Sequence, residues 1–169
     1  MAMLLRIDDL KIVFSLVLMA SVGGLASALA GQYVFGFDPC VLCLYQRVPW
    51  AAAAAMALVA LTAGLGRQSG WPVLACALAF AAGSLLALYH VGVQEHWWAS
   101  VTGCAGAPVG GVTLDDLRPG ALARPLPPCD RVDFRLLGLS LAGWNAVLSA
   151  LLATACLFGF RALKQRHQP

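Results

Sequence analysis

The sequence predicts an all-α membrane protein, a bundle of four transmembrane helices with cysteine-bearing loops at one end. Hydrophobic residues make up 60% of the 169 residues, and charged residues only 11%. A water-soluble domain has about 25% charged residues, so lipid must cover part of this apolar surface. The net charge of +3 is small, and no basic run with interleaved aromatic residues is present. We therefore expect a lipid bilayer as the surroundings and no nucleic-acid partner.

Four uncharged stretches define the predicted spans, at about residues 12–34, 48–65, 71–93 and 136–160 of a single membrane domain, 1–169. Each is close to the roughly 20 residues that cross a hydrocarbon core, and in lipid the backbone must satisfy its own hydrogen bonds, which favours helices. Ala28-Leu29-Ala30 resembles a signal-peptidase site. The apolar run before it is longer than a signal core, and Asp8 and Asp9 precede it, so we expect the first span to be retained.

An even number of spans places both termini on one side and both long connections on the other. The connections cover about residues 35–47 and 94–135, and each contains two cysteines: Cys40 and Cys43 in the first, Cys104 and Cys129 in the second. The remaining cysteines, Cys76 and Cys156, lie inside apolar runs, where a lone cysteine is usually a packing residue. Four cysteines are thus candidates for chemistry.

The distribution of charge and of thiols orients the bundle. The side of the termini has Arg6, Lys11, Arg67, Arg161, Lys164 and Arg166. The cysteine side has Arg47, Arg118, Arg124, Arg131 and Arg135. This excess supports cytoplasmic termini only weakly, but paired thiols persist outside the cytosol, so we expect the cysteine loops on the outer face. Thr113 to Asp116 has the pattern of a helix start, which predicts a short surface helix in the second loop, ended by Pro119-Gly120.

The segment from Asp38 to Arg47 contains the most informative motif. Asp38 suits a helix N-cap and Pro39 the first helical position, so Cys40 and Cys43 should lie in the first turns, where the helix dipole stabilises a thiolate. Arg47 follows Cys43 by four residues and shares its face. Its charge favours a thiolate at Cys43 and could hold a carbonyl oxygen of a ligand. Pro49 predicts a break, with the second span beginning afresh after Val48.

Other chemistry is compatible with these cysteines. The four could bind zinc, although 24 residues separate Cys104 from Cys129 and structural zinc sites usually have two close pairs. Either pair could also be a static disulfide. Two pairs on one face, one near lipid and one in a loop, favour a thiol–disulfide relay, and we expect no metal.

A histidine within a span suggests function. His90 lies one turn before Gln94, so the two could bind the oxygens of a quinone. A hydrogen bond between helices is the alternative for His90.

At these residues the sequence resembles the DsbB family, the disulfide bond formation proteins B of bacterial inner membranes. The matching pieces are Pro39-Cys40-Val41-Leu42-Cys43-Leu44-Tyr45-Gln46-Arg47, Tyr89-His90, Cys104, Cys129-Asp130, Phe134 to Leu139, and Trp144. The resemblance spans nearly the whole chain, and the first motif is specific. The Gly- and Pro-rich loop between Cys104 and Cys129 departs from the family pattern, which leaves the identity of the partner open.

The resemblance implies a protein-dithiol:quinone oxidoreductase that reoxidises a DsbA-like periplasmic oxidase of thioredoxin fold and passes electrons to ubiquinone or menaquinone. It implies that the reduced partner attacks Cys104, that Cys129 exchanges with Cys40, and that Cys43 is the thiolate facing the quinone. Arg47 would be the cation near the quinone, with His90 and Gln94 as further ligands. Two other classes remain: a membrane metal carrier that uses Cys40, Cys43 and His90, and a structural subunit with inert disulfides.

Overall fold

The computed structural model describes residues 2–63, 70–101, 127–132 and 134–165, and these are mostly helical. The helices are α1 (Ala2–Tyr33), α2 (Val41–Tyr45), α3 (Arg47–Thr62), α4 (Trp71–Gln94) and α5 (Leu141–Gln165). Two short strands, β1 (Arg135–Leu136) and β2 (Leu139–Ser140), precede α5. Within the described residues, four helical segments are long and apolar enough to cross a membrane: Leu10–Tyr33, Val41–Thr62, Trp71–Gln94 and Leu141–Ala162. The predicted four-helix membrane bundle is confirmed.

The fourth span begins later than predicted, because a β-hairpin occupies the start of its apolar run. Leu136 pairs with Leu139 in an antiparallel ladder. The two residues between them, Leu137 and Gly138, have φ values of 52° and 83°, and a type I′ hairpin turn requires positive φ at both positions. Ser140 then accepts a hydrogen bond from the Gly143 N–H at 3.2 Å, an N-cap arrangement. Helix α5 therefore starts at Leu141 and not at Leu136.

The second span is interrupted, but not after Val48 as predicted. Gln46 separates α2 from α3, and α3 begins at Arg47. Pro49 is the third residue of α3, within the first turn, where proline is tolerated. A Cβ built on Gly83 would lie 3.1 Å from Pro49 Cβ, so the glycine lets α4 approach α3 closely.

The core lies between α1, α3, α4 and α5. Trp50 and Phe80 meet edge to face, with ring centroids 5.5 Å apart, a favourable aromatic geometry. The Trp50 indole fills the space beside Gly24, where any Cβ would overlap the ring. Cys76 and Cys156 are both buried in this core, as predicted for packing residues. Large apolar side chains such as Leu78, which is 62% exposed, cover the outside of the bundle, as lipid-facing helices require.

The two cysteine-bearing connections meet at one end of the bundle. Cys40, from the connection after α1, and Cys129, from the connection after α4, pack in one small cluster with Leu42 and Val93. The short helix predicted near Thr113 falls outside the described residues. Both connections therefore lie at the same end, as the even number of spans predicts.

Candidate redox site

The inner cysteine pair is closely spaced at the start of α2. Cys40 Sγ and Cys43 Sγ lie 2.7 Å apart, so a disulfide of about 2.05 Å can close with little backbone movement. Cys40 itself is the N-cap: its backbone is extended, and its sulfur accepts the Cys43 N–H at 3.2 Å. The prediction that Asp38 caps this helix was wrong, because the sulfur takes the place of the expected carboxylate and the helix begins two residues later.

One buried imidazole links this pair to the second loop. His90 is 1% exposed, and its Nε2 lies 3.1 Å from the Cys129 carbonyl oxygen and 3.6 Å from Cys40 Sγ. Cys129 is fully buried and disulfide-bonded, whereas Cys40 and Cys43 are free thiols. Cys104 lies outside the described residues. Three of the four predicted redox cysteines are described, and all three lie around His90.

Arg47 and Gln94 flank the same end of the bundle but contact other groups. Arg47 is half-buried at the first turn of α3, and its guanidinium donates to Gln32 Oε1 of α1 at 2.9 Å. Gln94 Oε1 accepts from Ser140 Oγ at 2.7 Å. Neither contact tests binding of a quinone, so the roles predicted for Arg47, His90 and Gln94 stay predictions.

The electrostatics of the pair favour negative charge on Cys40. The hydrogen bond from the Cys43 thiol, aided by His90 and opposed by burial, lowers the pKa of Cys40 from 9.0 to about 5. Hydrogen bonds to a charged form lower the pKa of an acid in this way. In this arrangement the first thiolate forms at Cys40, at the end of the bundle where the two cysteine-bearing connections meet. The sequence indicated Cys43, and that role is untested.

The same three side chains have the spacing of a metal site. The ligand atoms of Cys40, Cys43 and His90 lie within 4.8 Å of one another. However, His90 Nε2 faces a carbonyl oxygen at 3.1 Å, and a carbonyl can only accept a hydrogen bond. This nitrogen therefore carries a proton and has no lone pair to offer a metal ion. The hydrogen bonding of His90 favours a thiol pair over a metal centre.

Comparison with known proteins decides between these interpretations. The family model described as "Disulfide bond formation protein DsbB" matches residues 10–159. The chain belongs to the DsbB family. A relative named disulfide bond formation protein B, from Marinobacter nauticus, is 32% identical over 166 residues, which cover 93% of this chain and 94% of the relative. Another, from Xanthomonas euvesicatoria pv. vesicatoria, is 32% identical over 156 residues, which cover 88% and 90%. No solved structure matches.

Membership in the DsbB family makes this chain a disulfide-forming oxidoreductase of the membrane, with the cysteine cluster as its candidate site. The resemblance drawn from the Pro39–Arg47 motif is thereby confirmed. The DsbB-family fold also brings together polar residues whose role the sequence did not predict. Gln46 contacts His90, and Asn145 contacts Gln46, each at 2.6 Å. Gln46 lies within the Pro39–Arg47 motif, and Asn145 is the most polar residue of the fourth apolar run. The sequence therefore marked both residues as unusual but did not indicate that they contact each other.

Proposed function

We propose that the protein reoxidises a periplasmic DsbA-like thiol oxidase and delivers the electrons to a membrane quinone. The observation that supports this most directly is the position of Cys40. Its sulfur lies 2.7 Å from Cys43 Sγ on one side. On the other side it contacts His90 Nε2, the same nitrogen that contacts the Cys129 backbone carbonyl. A sulfur between two possible disulfide partners is what a thiol–disulfide relay needs.

The relay begins at the outer pair, for which we propose Cys104 and Cys129. A thiolate of the reduced partner attacks Cys104, forms a mixed disulfide and releases Cys129 as a thiolate. Cys129 then attacks Cys40 of an oxidised inner pair. The Cys40–Cys43 bond breaks, a Cys40–Cys129 bond forms, and Cys43 leaves with the electron pair. The partner's second thiolate then attacks the partner sulfur of the mixed disulfide and releases Cys104 as a thiolate. Cys104 attacks Cys129, which restores the Cys104–Cys129 bond and frees Cys40. Each step exchanges one disulfide for another, so the partner leaves oxidised and its two electrons remain on the inner pair as the Cys40–Cys43 dithiol.

The electrons then leave through the lipid side of the site. A quinone at this site, ubiquinone or menaquinone, would supply the acceptor of two electrons and two protons with which Cys40 and Cys43 re-form their disulfide. Arg47 fits the role of its ligand, because it is half-buried at the start of α3 and one hydrogen bond to Gln32 uses only one of its five N–H donors. The N–H donors of Gln94 are a second candidate. Both ring nitrogens of His90 already have protein partners, which favours Arg47 over His90.

The energetics and the charge distribution indicate the compartment. A DsbA-type oxidase has a potential near −120 mV, so glutathione-like acceptors are too reducing to reoxidise it, and a quinone supplies the missing driving force. We propose the bacterial inner membrane as the location, with both termini cytoplasmic and both cysteine loops periplasmic. The basic tail that includes Arg161 and Lys164 follows the positive-inside rule.

The test is quinone reduction by the purified protein in detergent, with a reduced DsbA-type oxidase as electron donor. We expect reduction of ubiquinone or menaquinone that is lost in Cys43→Ala and retained in Cys76→Ala, a matched substitution of a cysteine buried in the core. Absence of reduction with both quinones, or equal activity of the Cys43→Ala variant, would refute the proposal.

A further inference from the structure

A chain of hydrogen bonds runs through the bundle and ends at His90. The Trp50 indole N–H donates to Asn145 Oδ1 at 2.9 Å, and Asn145 Nδ2 donates to Gln46 Oε1 at 2.6 Å. Gln46 Nε2 then lies 2.6 Å from His90 Nδ1. The other ring nitrogen, Nε2, faces the Cys129 carbonyl oxygen at 3.1 Å. This series of hydrogen bonds connects α3 to α5, then α5 to Gln46 between α2 and α3, and finally Gln46 to α4 and the second loop.

The groups at the two ends determine the direction of every bond in this chain. The indole of Trp50 can only donate, so Asn145 must present its oxygen there and its NH₂ group to Gln46. Gln46 must then accept through Oε1 and donate through Nε2, which makes His90 Nδ1 an acceptor. At the far end a backbone carbonyl can only accept, which requires a proton on Nε2. Both ends independently demand the same neutral tautomer.

On the basis of the proposed function, we propose that Gln46 and Asn145 are positioning residues that hold His90 as the neutral tautomer protonated at Nε2, so that this N–H points at Cys40 Sγ and the Cys129 carbonyl. Neither residue needs to touch a quinone or a thiol partner. His90 is then a fixed hydrogen-bond donor and neither a general base nor a metal ligand, because Nδ1 is occupied by Gln46.

The His90 Nε2–H group lies where it can stabilise a thiolate on Cys40. Nε2 lies 3.6 Å from Cys40 Sγ, and His90 is 1% exposed. Inside a bundle of low dielectric a hydrogen bond to a thiolate is stronger than in water. A freely rotating or flipped imidazole would present a lone pair to the sulfur instead and would repel the charge. The chain therefore stabilises negative charge on Cys40 whenever the inner pair is reduced.

The first test is the tautomer of His90 in the full-length protein in detergent, read from the nitrogen-15 shifts of labelled histidine at neutral pH. We expect one signal set with a bare Nδ1 and a protonated Nε2, which disappears in His90→Phe. Asn145→Leu should add a second, doubly protonated form, because Gln46 can then turn and accept a hydrogen bond from a protonated Nδ1 while the Cys129 carbonyl still holds the proton on Nε2. Ser149→Ala is the matched control: it removes a second donor to Asn145 Oδ1 but leaves Trp50 in place, so the single tautomer should persist.

The second test separates positioning from a purely structural role. Asn145→Leu should lower kcat for partner oxidation by about ten-fold or more, the loss expected for a charge-assisted hydrogen bond, while the quinone KM stays within about two-fold, since Arg47 is untouched. Gln46→Met, which removes the donor to Nδ1 directly, should give the same pattern and serves if Asn145→Leu does not fold.

The outcomes distinguish this proposal from the proposed function. A wild-type His90 protonated at Nδ1, or a tautomer that both variants leave unchanged, would overturn the hydrogen-bond chain while quinone reduction stands. A changed tautomer with normal kcat would overturn the positioning role. Failure of the wild-type protein to reduce quinone would instead overturn the proposed function, whatever the tautomer.

Discussion

Removing Cys43 should return the Cys40 thiol to ordinary acidity. The Cys43 thiol is the largest of the causes that lower the Cys40 pKa to about 5, and burial opposes it. In Cys43→Ala, only the weaker hydrogen bonds from His90 and the backbone N–H still lower the Cys40 pKa, while burial continues to raise it. The pKa should then rise by at least about two units, toward the value of 8.5 that is usual for a free cysteine.

The lowered pKa of Cys40 changes the redox potential of the inner pair. With a pKa of about 5, about 99% of Cys40 is thiolate at pH 7, against about 1% for a pKa of 9.0. A lowered pKa stabilises the reduced form above about pH 5, and the stabilisation is lost as pH falls through that value. The two units between the pKa and pH 7 are worth about 3 kcal/mol, which makes the pair more oxidising by some tens of millivolts, on the order of 50 mV.

The assay is the ultraviolet absorbance of the thiolate as a function of pH, in a background in which Cys104 and Cys129 are replaced by alanine. The reduced inner pair should show an ionisation near pH 5 that is absent in Cys43→Ala and retained in Cys76→Ala. The reasoning fails if the first ionisation of the intact pair lies above about pH 8, or if it is unchanged when Cys43 is removed.

Three further predictions concern the relay and the bundle. Arg47→Met should raise the quinone KM by about ten-fold, with kcat changed less and with Arg47→Lys intermediate; an unchanged KM in steady-state assays would remove Arg47 from the quinone site. Cys104→Ser should abolish electron transfer from the partner but leave dithiothreitol-driven quinone reduction intact, and normal turnover with the partner would contradict the relay. Gly24→Ala should lower stability by about 1–3 kcal/mol, because its Cβ overlaps Trp50, as measured by thermal unfolding in detergent. Gly23→Ala, where the Cβ meets nothing within 4 Å, should change the unfolding temperature little.

Hydropathy predicted the fold, because the number of spans depends only on the length of uncharged runs. It failed at Leu136, where the residues before α5 are as apolar as the helix that follows. What separates them is a turn with Leu137 at φ 52°, a backbone conformation that leucine seldom adopts. Gly138 is a local signal of that turn, but a weak one, because glycine is also frequent within transmembrane helices.

In the candidate site, too, the sequence predicted the arrangement of residues close together in the chain but not the contacts between distant ones. The spacing of Cys40, Cys43 and Arg47 is local, and the sequence showed it. The meeting of His90 with Cys129 joins residues 39 apart, and that of Asn145 with Gln46 joins residues 99 apart. A single sequence cannot specify which polar residue of one helix will face which residue of another, because packing decides it.

Cys40 and Cys43 could each carry the thiolate at a different stage of the proposed relay. In the reduced inner pair, the N-cap geometry and the hydrogen bonds place the charge on Cys40. In the proposed relay, Cys129 attacks Cys40 of the oxidised inner pair. The Cys40 sulfur would then be covalently occupied, and Cys43 would be the inner sulfur that can hold the charge. Cys43 precedes Arg47 by one helical turn, on the side where we propose the quinone. The charge would thus reach the quinone side only after the outer loop has engaged Cys40, which couples electron release to arrival of the partner's electrons.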